Sequence, residues 1–558
     1  MFAVAAITAV VTGCGGVPDG GGVHLGRALP AVGGADDAFD FDVKALPPPW
    51  RSGMSPDDVV SGFLRAVVNA DGDYAIARSY LSSAAARSWD PTRSITMYDA
   101  LHTMSAGSGG VRTVRLRAVR TGAVDDRGDF DPTRGSIDET IGVARLDGEW
   151  RIDRLPPGVL LSTLDAQRSI RLARVYYPSR SGAALVPEQV SLRTSRTGLA
   201  TALVRTLLAG PGRWLAPAVR RAAPPGTTLI GNVPVVGGVA DVNLSPPARQ
   251  ATAAQLAQLS AALVWTLRQV PDLAAVRLLV DGSPLSVPRV GTNQPIGAWP
   301  AYDPAGVISG APLYIDGRRL RAVNGATPDV AAGWHVRAVG VSSTADVLAV
   351  VRETRRGAVL ATGPLGGALV DRLTARTMTP PTVDRDGDVF TVARTANGRA
   401  VLAVLPSGAV RHVTLDGGPA LGEVTALRLS RDGARVAVVA DGRLLIGRVQ
   451  QGASGPMLAG FRDVAVSSAD VSGVAWTDAG DVVATVRSGR ENRGLVVTDV
   501  DGYGVRSLSL DGLAGQPIDV AAAPGRPLLV VTAGGSLWSD AGGGWHVLGR
   551  GSAPAYPN

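Results

Sequence analysis

Groups able to do covalent or proton-transfer chemistry are scarce in this chain. Its 558 residues include one cysteine, Cys14, one lysine, Lys44, and five histidines, His24, His102, His335, His412 and His546, spread far apart. No HExxH helix motif occurs, and a single thiol cannot build a thiolate zinc site. There is no GxSxG nucleophile elbow. With its only lysine beside the N-terminal Gly- and Ala-rich stretch, the chain has neither a Ser-x-x-Lys acyl-enzyme site nor a Schiff-base site in its folded part. No Gly-Lys pair exists to form a phosphate-binding P-loop. The expectation is a non-enzyme with no cofactor and no metal.

Two acidic clusters carry the remaining potential. Asp125, Asp126, Asp129 and Asp131 surround Gly128, and Asp384, Asp386 and Asp388 surround Arg385 and Gly387. Alternating carboxylates can hold Ca²⁺, which takes 6–8 oxygens. Neither cluster has the full spacing of a calcium loop, and Asp-Gly is what a tight turn requires for backbone reasons alone. Both therefore read as turns. Tyr74, Tyr80, Trp89 and Trp150 read as core, with the lining of a pocket as the competing role.

The lone cysteine is the most informative residue. It follows an apolar run, Phe2 to Val11, and two small residues, in the tetrad Val11-Thr12-Gly13-Cys14. That run has about ten residues, half of what spans a bilayer. The tetrad resembles the lipobox of bacterial lipoproteins. The resemblance implies cleavage between Gly13 and Cys14, an S-diacylglycerol on the Cys14 sulfur and an acylated N-terminus. An ordinary secretory signal is the competing reading, and a cytoplasmic chain a third. The segment Met1-Phe2-Ala3 lacks the basic residues of a signal peptide, so the expected translation start lies upstream. Two acyl chains give stable anchoring where one does not.

Length predicts three or four domains. Hydrophobic content of 45% and charge of 18% suit ordinary globular cores. The net charge of +7 comes almost wholly from scattered arginine. No basic run interleaves with aromatics as a nucleic-acid groove would need, so a nucleic-acid partner is not expected.

Residues 14–49 read as the acylated cysteine and a flexible Gly-, Ala- and Pro-rich tether, with a reach of roughly 30 Å. Residues 50–170 form a first unit. Ser55-Pro56-Asp57-Asp58 starts a helix, and Val59, Val60, Phe63, Leu64, Val67 and Val68 fall on one face. Asp71-Gly72-Asp73 breaks it, and a second helix carries Tyr74, Ala77, Tyr80 and Leu81. Alternating strands follow, with a hairpin at Asp147-Gly148. Two helices before a curved antiparallel sheet resemble NTF2-like α+β cones. Residues 171–290 form a second unit: strands at 175–178, 228–230, 240–244 and 275–280, and helices at 198–208 and 251–267. The Tyr-Tyr-Pro strand, the Leu-Leu-Ala-Gly-Pro helix end, the Pro-Pro-Gly-Thr loop and the closing Val-Asp-Gly resemble the GerMN domain.

Residues 291–555 show a repeat. Apolar strands begin at Val347, Val389, Val436, Val482 and Leu528, spacings of 42, 47, 46 and 46 residues. Most follow a Ser/Asp/Gly turn, as in Ser430-Arg431-Asp432-Gly433. This period predicts a β-propeller, with an atypical further blade at Tyr314–Leu320. Six blades are expected, five or seven also fit, and a β-sandwich array is the competing architecture. Trp299, Trp334, Trp538 and Trp545 are candidate partner anchors, with blade-core packing as the other role. The fold class is thus multidomain α+β and all-β.

Lipobox, two α+β units and propeller, in this order, resemble the actinobacterial LpqB lipoprotein family over the chain from Cys14 onward. The resemblance implies a lipid-anchored protein on the extracytoplasmic face of the cell membrane. It further implies an accessory role toward the extracellular domain of a sensor histidine kinase of the MtrB type, with influence on cell-envelope homeostasis and division. A non-catalytic lipoprotein that binds a cell-wall ligand is the alternative.

Overall fold

The computed structural model describes residues 47–194, 197–328, 333–396, 398–417, 421–452, 455–464, 470–488 and 492–558. The expectations for Cys14, the Gly13–Cys14 cleavage, the signal peptide at 1–13 and most of the tether lie outside these residues.

In the first unit, Ser55 caps helix α1 (Pro56–Ala66) in a capping box with Asp58, and Pro56 occupies the first turn. Val59, Val60, Phe63 and Leu64 are buried beneath it. Gly62 is required for the helix to approach Tyr80, because a Cβ there would lie 2.4 Å from the ring. Helix α2 (Asp71–Arg78) opens with left-handed Gly72, Asp73 and Tyr74, so the break expected at 71–73 is real. Helix α3 (Ser83–Ser88) completes the layer. The sheet contains β1 (Ser94–Ala106), β2 (Val111–Asp125), β3 (Phe130–Asp131), β4 (Gly135–Leu146), β5 (Glu149–Arg154) and β6 (Val159–Ser162). Its order is β5-β4-β2-β1-β6, with β3 on β2. Helix α4 (Thr163–Ser169) leads out. The last residues of the expected tether already belong to this unit: the Tyr80 hydroxyl donates to the Pro48 carbonyl at 2.8 Å.

The second unit pairs β7 (Arg171–Pro178) with β8 (Leu185–Leu192). Helix α5 (Leu199–Ala209) follows, then β9 (Val235–Val236) and β10 (Val239–Leu244). Helix α6 (Ala253–Leu267) is capped by Thr252 and Gln255, and buries Leu256, Leu259, Leu263 and Leu267. It leads to β11 (Ala275–Val280), β12 (Ser283–Pro284) and β13 (Asn293–Pro295). Strand β13 pairs with β11, which carries this sheet past residue 290. The strand expected at 228–230 is a single bridge, Leu229 to Leu244. Gly231, at φ +72°, turns the chain directly after Ile230 and ends the extended stretch there.

Beyond residue 312 the described strands form a closed ring of six blades. Blade 1 is Leu313–Asp316 and Arg319–Ala322, completed from the far end of the chain by Ser552–Ala555. Blade 2 is His335–Val341, Val347–Thr354, Gly357–Pro364 and Val370–Ala375. Blade 3 has a split inner strand, Thr377–Met378 and Thr382–Val383, then Val389–Thr395, Gly398–Val404 and Val410–Leu415. Blade 4 is Val424–Leu429, Arg435–Ala440, Arg443–Gly452 and Gly455–Asp463. Blade 5 is Asp470–Trp476, Asp481–Ser488, Asn492–Asp499 and Arg506–Ser507, and blade 6 is Pro517–Ala521, Leu529–Thr532, Ser536–Ser539 and His546–Arg550. The periodic strands of the sequence are the second strands of blades 2 to 6. They are buried on both faces, which is why they read as unbroken apolar runs.

Candidate functional site

A group of buried ionisable side chains lies where the three units meet. Each of its members is set by local structure. In the first unit, Asp125 Oδ1 accepts from the Arg127 and Asp129 amides at 2.9 and 3.0 Å, making an Asx turn. The turn passes through Gly128 at φ +88°, whose carbonyl accepts from the Ser191 amide of β8 at 2.9 Å. This turn aims the Asp129 carboxyl at the Gly212 backbone. In the second unit, Glu188 of β8 is 8% exposed, and both its oxygens accept from the Gly212 amide, at 3.1 and 3.0 Å. From the propeller, the half-buried Asp501 faces the same point.

Burial, with the charge of Asp125, pushes Asp129 up to about 6. Burial, with the charge of Asp129, pushes Glu188 up to about 8. Burial and Asp499 push Asp501 up to about 7. Carboxylates that share a buried site titrate as a group, and the charge of each favours the protonated form of its neighbour.

Arg435, at the start of the second strand of blade 4, supplies the cation. It is 1% exposed. Its Nη1 lies 3.1 Å from Asp432 Oδ2, and its Nη2 donates to the Pro187 carbonyl of the second unit. The turn that presents it is the Ser-Arg-Asp-Gly motif seen in the sequence. Ser430 Oγ donates to Asp432 Oδ1 at 2.5 Å and accepts from the Arg435 amide at 2.9 Å.

Further contacts continue the seam. Arg174 Nη1 and Nη2 each lie 2.9 Å from carboxylates of the blade 5 turn, Asp478 and Asp481. Gln189 Nε2 donates to Asp499 Oδ2 at 3.1 Å. Trp214 Nε1 donates to the Gly460 carbonyl at 2.6 Å, and its ring lies under Arg462. Phe130 meets Tyr503 edge to face at 4.9 Å. Between the first two units, Arg193 donates to the Tyr74 hydroxyl at 2.7 Å and to the Val67 and Val68 carbonyls at the end of α1. The cavity among the junction carboxylates is about 10 Å³, too small for an organic ligand.

The remaining candidates fall elsewhere. Asp131 pairs with Arg120 at 2.9 Å. Asp384 Oδ1 accepts from the Asp386 and Asp388 amides, a second Asx turn, and burial together with Asp388 pushes it up to about 7. Among the described residues no group of three or more His, Cys, Asp or Glu side chains is placed to hold a metal ion. His102, His335, His412 and His546 lie in four different sheets. Trp89 is core, edge to face with Phe63 and Tyr74, and Tyr80 is buried with it. Trp150 is partly buried against that core, and its carbonyl accepts from Trp50 Nε1 at 3.1 Å.

Of the candidate anchors, Trp299 belongs to the second unit rather than the propeller. It packs on that core with Tyr302 and donates to Ser260 Oγ at 2.8 Å. The reason is β13, which returns the chain to the second sheet. Trp334 lies under Arg352, Trp545 donates to the Ser509 carbonyl, and the Trp538 Nε1 is buried. Sequence reasoning missed Glu188, Arg435 and Asp501. The available signal was Glu188 set among the apolar Leu185, Val186, Pro187 and Val190 of β8.

Every propeller turn named in this seam joins the first and second, or third and fourth, strands of blades 3 to 5. The Arg385 turn of blade 3 joins them, with its guanidinium donating to the Asp303 carbonyl at 2.8 Å. Asn558 also enters this side, donating to the Val383 and Leu429 carbonyls. Turns between second and third strands lie on the opposite face.

Comparison with known proteins matches all three units. Residues 49–167 match the model described as "Lipoprotein LpqB, N-terminal domain", residues 174–286 that of "Sporulation and spore germination", and residues 310–557 "Lipoprotein LpqB beta-propeller domain". A Lipoprotein LpqB of Thermobifida fusca is 30% identical over 625 residues, covering 99% of this chain and 98% of that protein. One of Mycobacterium ulcerans is 27% identical, covering 100% and 99%. Among solved structures, TolB from Acinetobacter baumannii matches at 17% identity and TM-score 0.34, covering 45% of this chain and 67% of that one. The first GerMN domain of GerM from Bacillus subtilis matches at 24% identity and TM-score 0.19, covering 22% and 92%. No helix among the described residues is long and apolar enough to cross a membrane. Matched along nearly its whole length, the chain belongs to the LpqB lipoprotein family.

Proposed function

We propose that this lipoprotein is a non-catalytic adaptor, held on the extracytoplasmic face of the cytoplasmic membrane by diacylglycerol on Cys14 after cleavage at Gly13. The observation that carries the reading is the use made of its buried charges. Arg435 and Arg174 join the second unit to the propeller, and the turn that carries Asp129 joins the first unit to the second. A body joined in this way presents the opposite propeller face in a fixed orientation, as an adaptor must. The partner is the extracellular domain of a sensor histidine kinase, the class implied by family resemblance, and the role is accessory, in cell-envelope homeostasis and division. The second reading, binding of a cell-wall ligand without turnover, is favoured by a concave cleft on that opposite face.

The test is titration of the lipidated protein in nanodiscs with purified kinase extracellular domain. Binding with a Kd of about 1–100 μM, a range suited to a tethered pair, is expected. Absence of binding, with retention on purified wall material, supports the second reading instead.

A further inference from the structure

On the propeller face away from the junction, blade 3 carries a cleft of about 740 Å³. Arg376, Arg394, Arg399 and His412 line it, and Val401 and Val413 contribute an apolar floor. The backbone gathers these cations. Arg394 and Arg399 are directly opposed across the second and third strands. The Arg376 amide donates to the Arg394 carbonyl at 2.8 Å. His412 opposes Leu402 on the next strand.

Like charges directly opposite one another on a sheet destabilise it unless they are compensated. Arg394 Nη2 lies 3.3 Å from Glu423 Oε1, in a pair that is largely exposed. Arg399 Nη1 donates to the Gly422 carbonyl. The Arg376 and His412 side chains make no hydrogen bond or ion pair among the described residues. Three guanidiniums therefore line one concavity, and Arg376 among them makes no hydrogen bond or ion pair among the described residues. A concave, low-dielectric floor concentrates their field, and the volume lies in the range of small-ligand sites.

We propose that this cleft binds a phosphate ester. Guanidinium forks match phosphoryl oxygens, and a tetrahedral phosphate offers acceptors in more directions than a planar carboxylate. The apolar floor takes the carbon skeleton of the ester. The phosphate belongs either to a soluble ester or to a phospholipid headgroup.

Two probes separate these sources: calorimetry with glycerol 3-phosphate, and flotation with phosphatidylglycerol vesicles. Both use the full chain bearing Cys14→Ser, so that the acyl anchor does not mask headgroup binding. Saturable binding to at least one probe is expected, weakening with salt. Arg376→Gln should weaken it about tenfold, the loss of one charge-assisted contact, and Arg376→Gln with Arg394→Gln should abolish it. Arg376→Gln removes no hydrogen bond or ion pair among the described residues, so its melting temperature should match the parent's. Arg355→Gln, on the exposed turn of blade 2, should bind like the parent. Binding to the vesicles alone assigns the headgroup as source. No saturable binding to either probe, equal binding by the double variant, or equal affinity for succinate overturns the proposal.

Discussion

Glu188 shows how a single side chain couples the units to pH. It sits on a strand buried along nearly its whole length, and its two oxygens share one amide donor, that of Gly212. Burial and the nearby Asp129 raise it to about 8 from an ordinary 4.5. A carboxyl raised on folding holds its proton in the folded state after the unfolded chain has released it. Its contribution is fully present below about 4.5 and is lost as pH rises toward about 8. Docking should therefore weaken across that window. Glu188→Gln keeps an oxygen for Gly212 and removes the titration. The variant should melt about 2 °C or more above the parent at pH 8, and close to it at pH 5, by scanning calorimetry. A parent and variant with parallel pH profiles would show that Glu188 does not carry the coupling. Little of this was legible in sequence. The cluster at 125–131 read correctly as a turn, but that Asp129 meets Glu188 depends on two units docking. Arg435 looked like any other of the scattered arginines.

At the scale of elements, the turn at Gly128 is a close backbone joint between the first two units. A Cβ there would lie 2.9 Å from the Ser191 carbonyl oxygen, at a φ that side chains rarely adopt. Gly128→Ala should cost about 1–3 kcal/mol, through backbone strain and displacement of β8. Because the clash lies between units, each unit should stay folded while the joint opens. Limited proteolysis should then cut faster near residue 170, between α4 and β7, with the circular dichroism unchanged. Unaltered cleavage would mean that the joint does not depend on this approach. Elements of this scale were the most legible. Ser55, Pro56 and Asp58 mark the start of α1, Thr252 caps α6, and the apolar second strands recur with the blade period. The inner strands were harder to read. That of blade 3 is split, and that of blade 1 arrives from Ser552–Ala555, more than two hundred residues after its neighbours in the sheet. Local pattern cannot reveal a strand that long-range closure supplies.

Across the whole molecule, closure of the ring and docking of the second unit give the propeller two unlike faces. One receives the chain's own groups: Arg174, Pro187, Gln189 and Asn558 all bond turns or carbonyls on that side. The other carries the arginine-lined cleft of blade 3. An adaptor tethered through its first unit would engage partners with that second face.

The most direct test of this account is photo-crosslinking in membranes of the producing cell. The crosslinking residue is placed at Arg356 or Ala396 on the open face, or at Val410 on the junction side, with and without Cys14→Ser, and the captured protein is identified. The account predicts capture of a sensor kinase extracellular domain from Arg356 or Ala396, little from Val410, and a marked loss in the Cys14→Ser chain. Capture that is equal from both faces, or unchanged by Cys14→Ser, would contradict it.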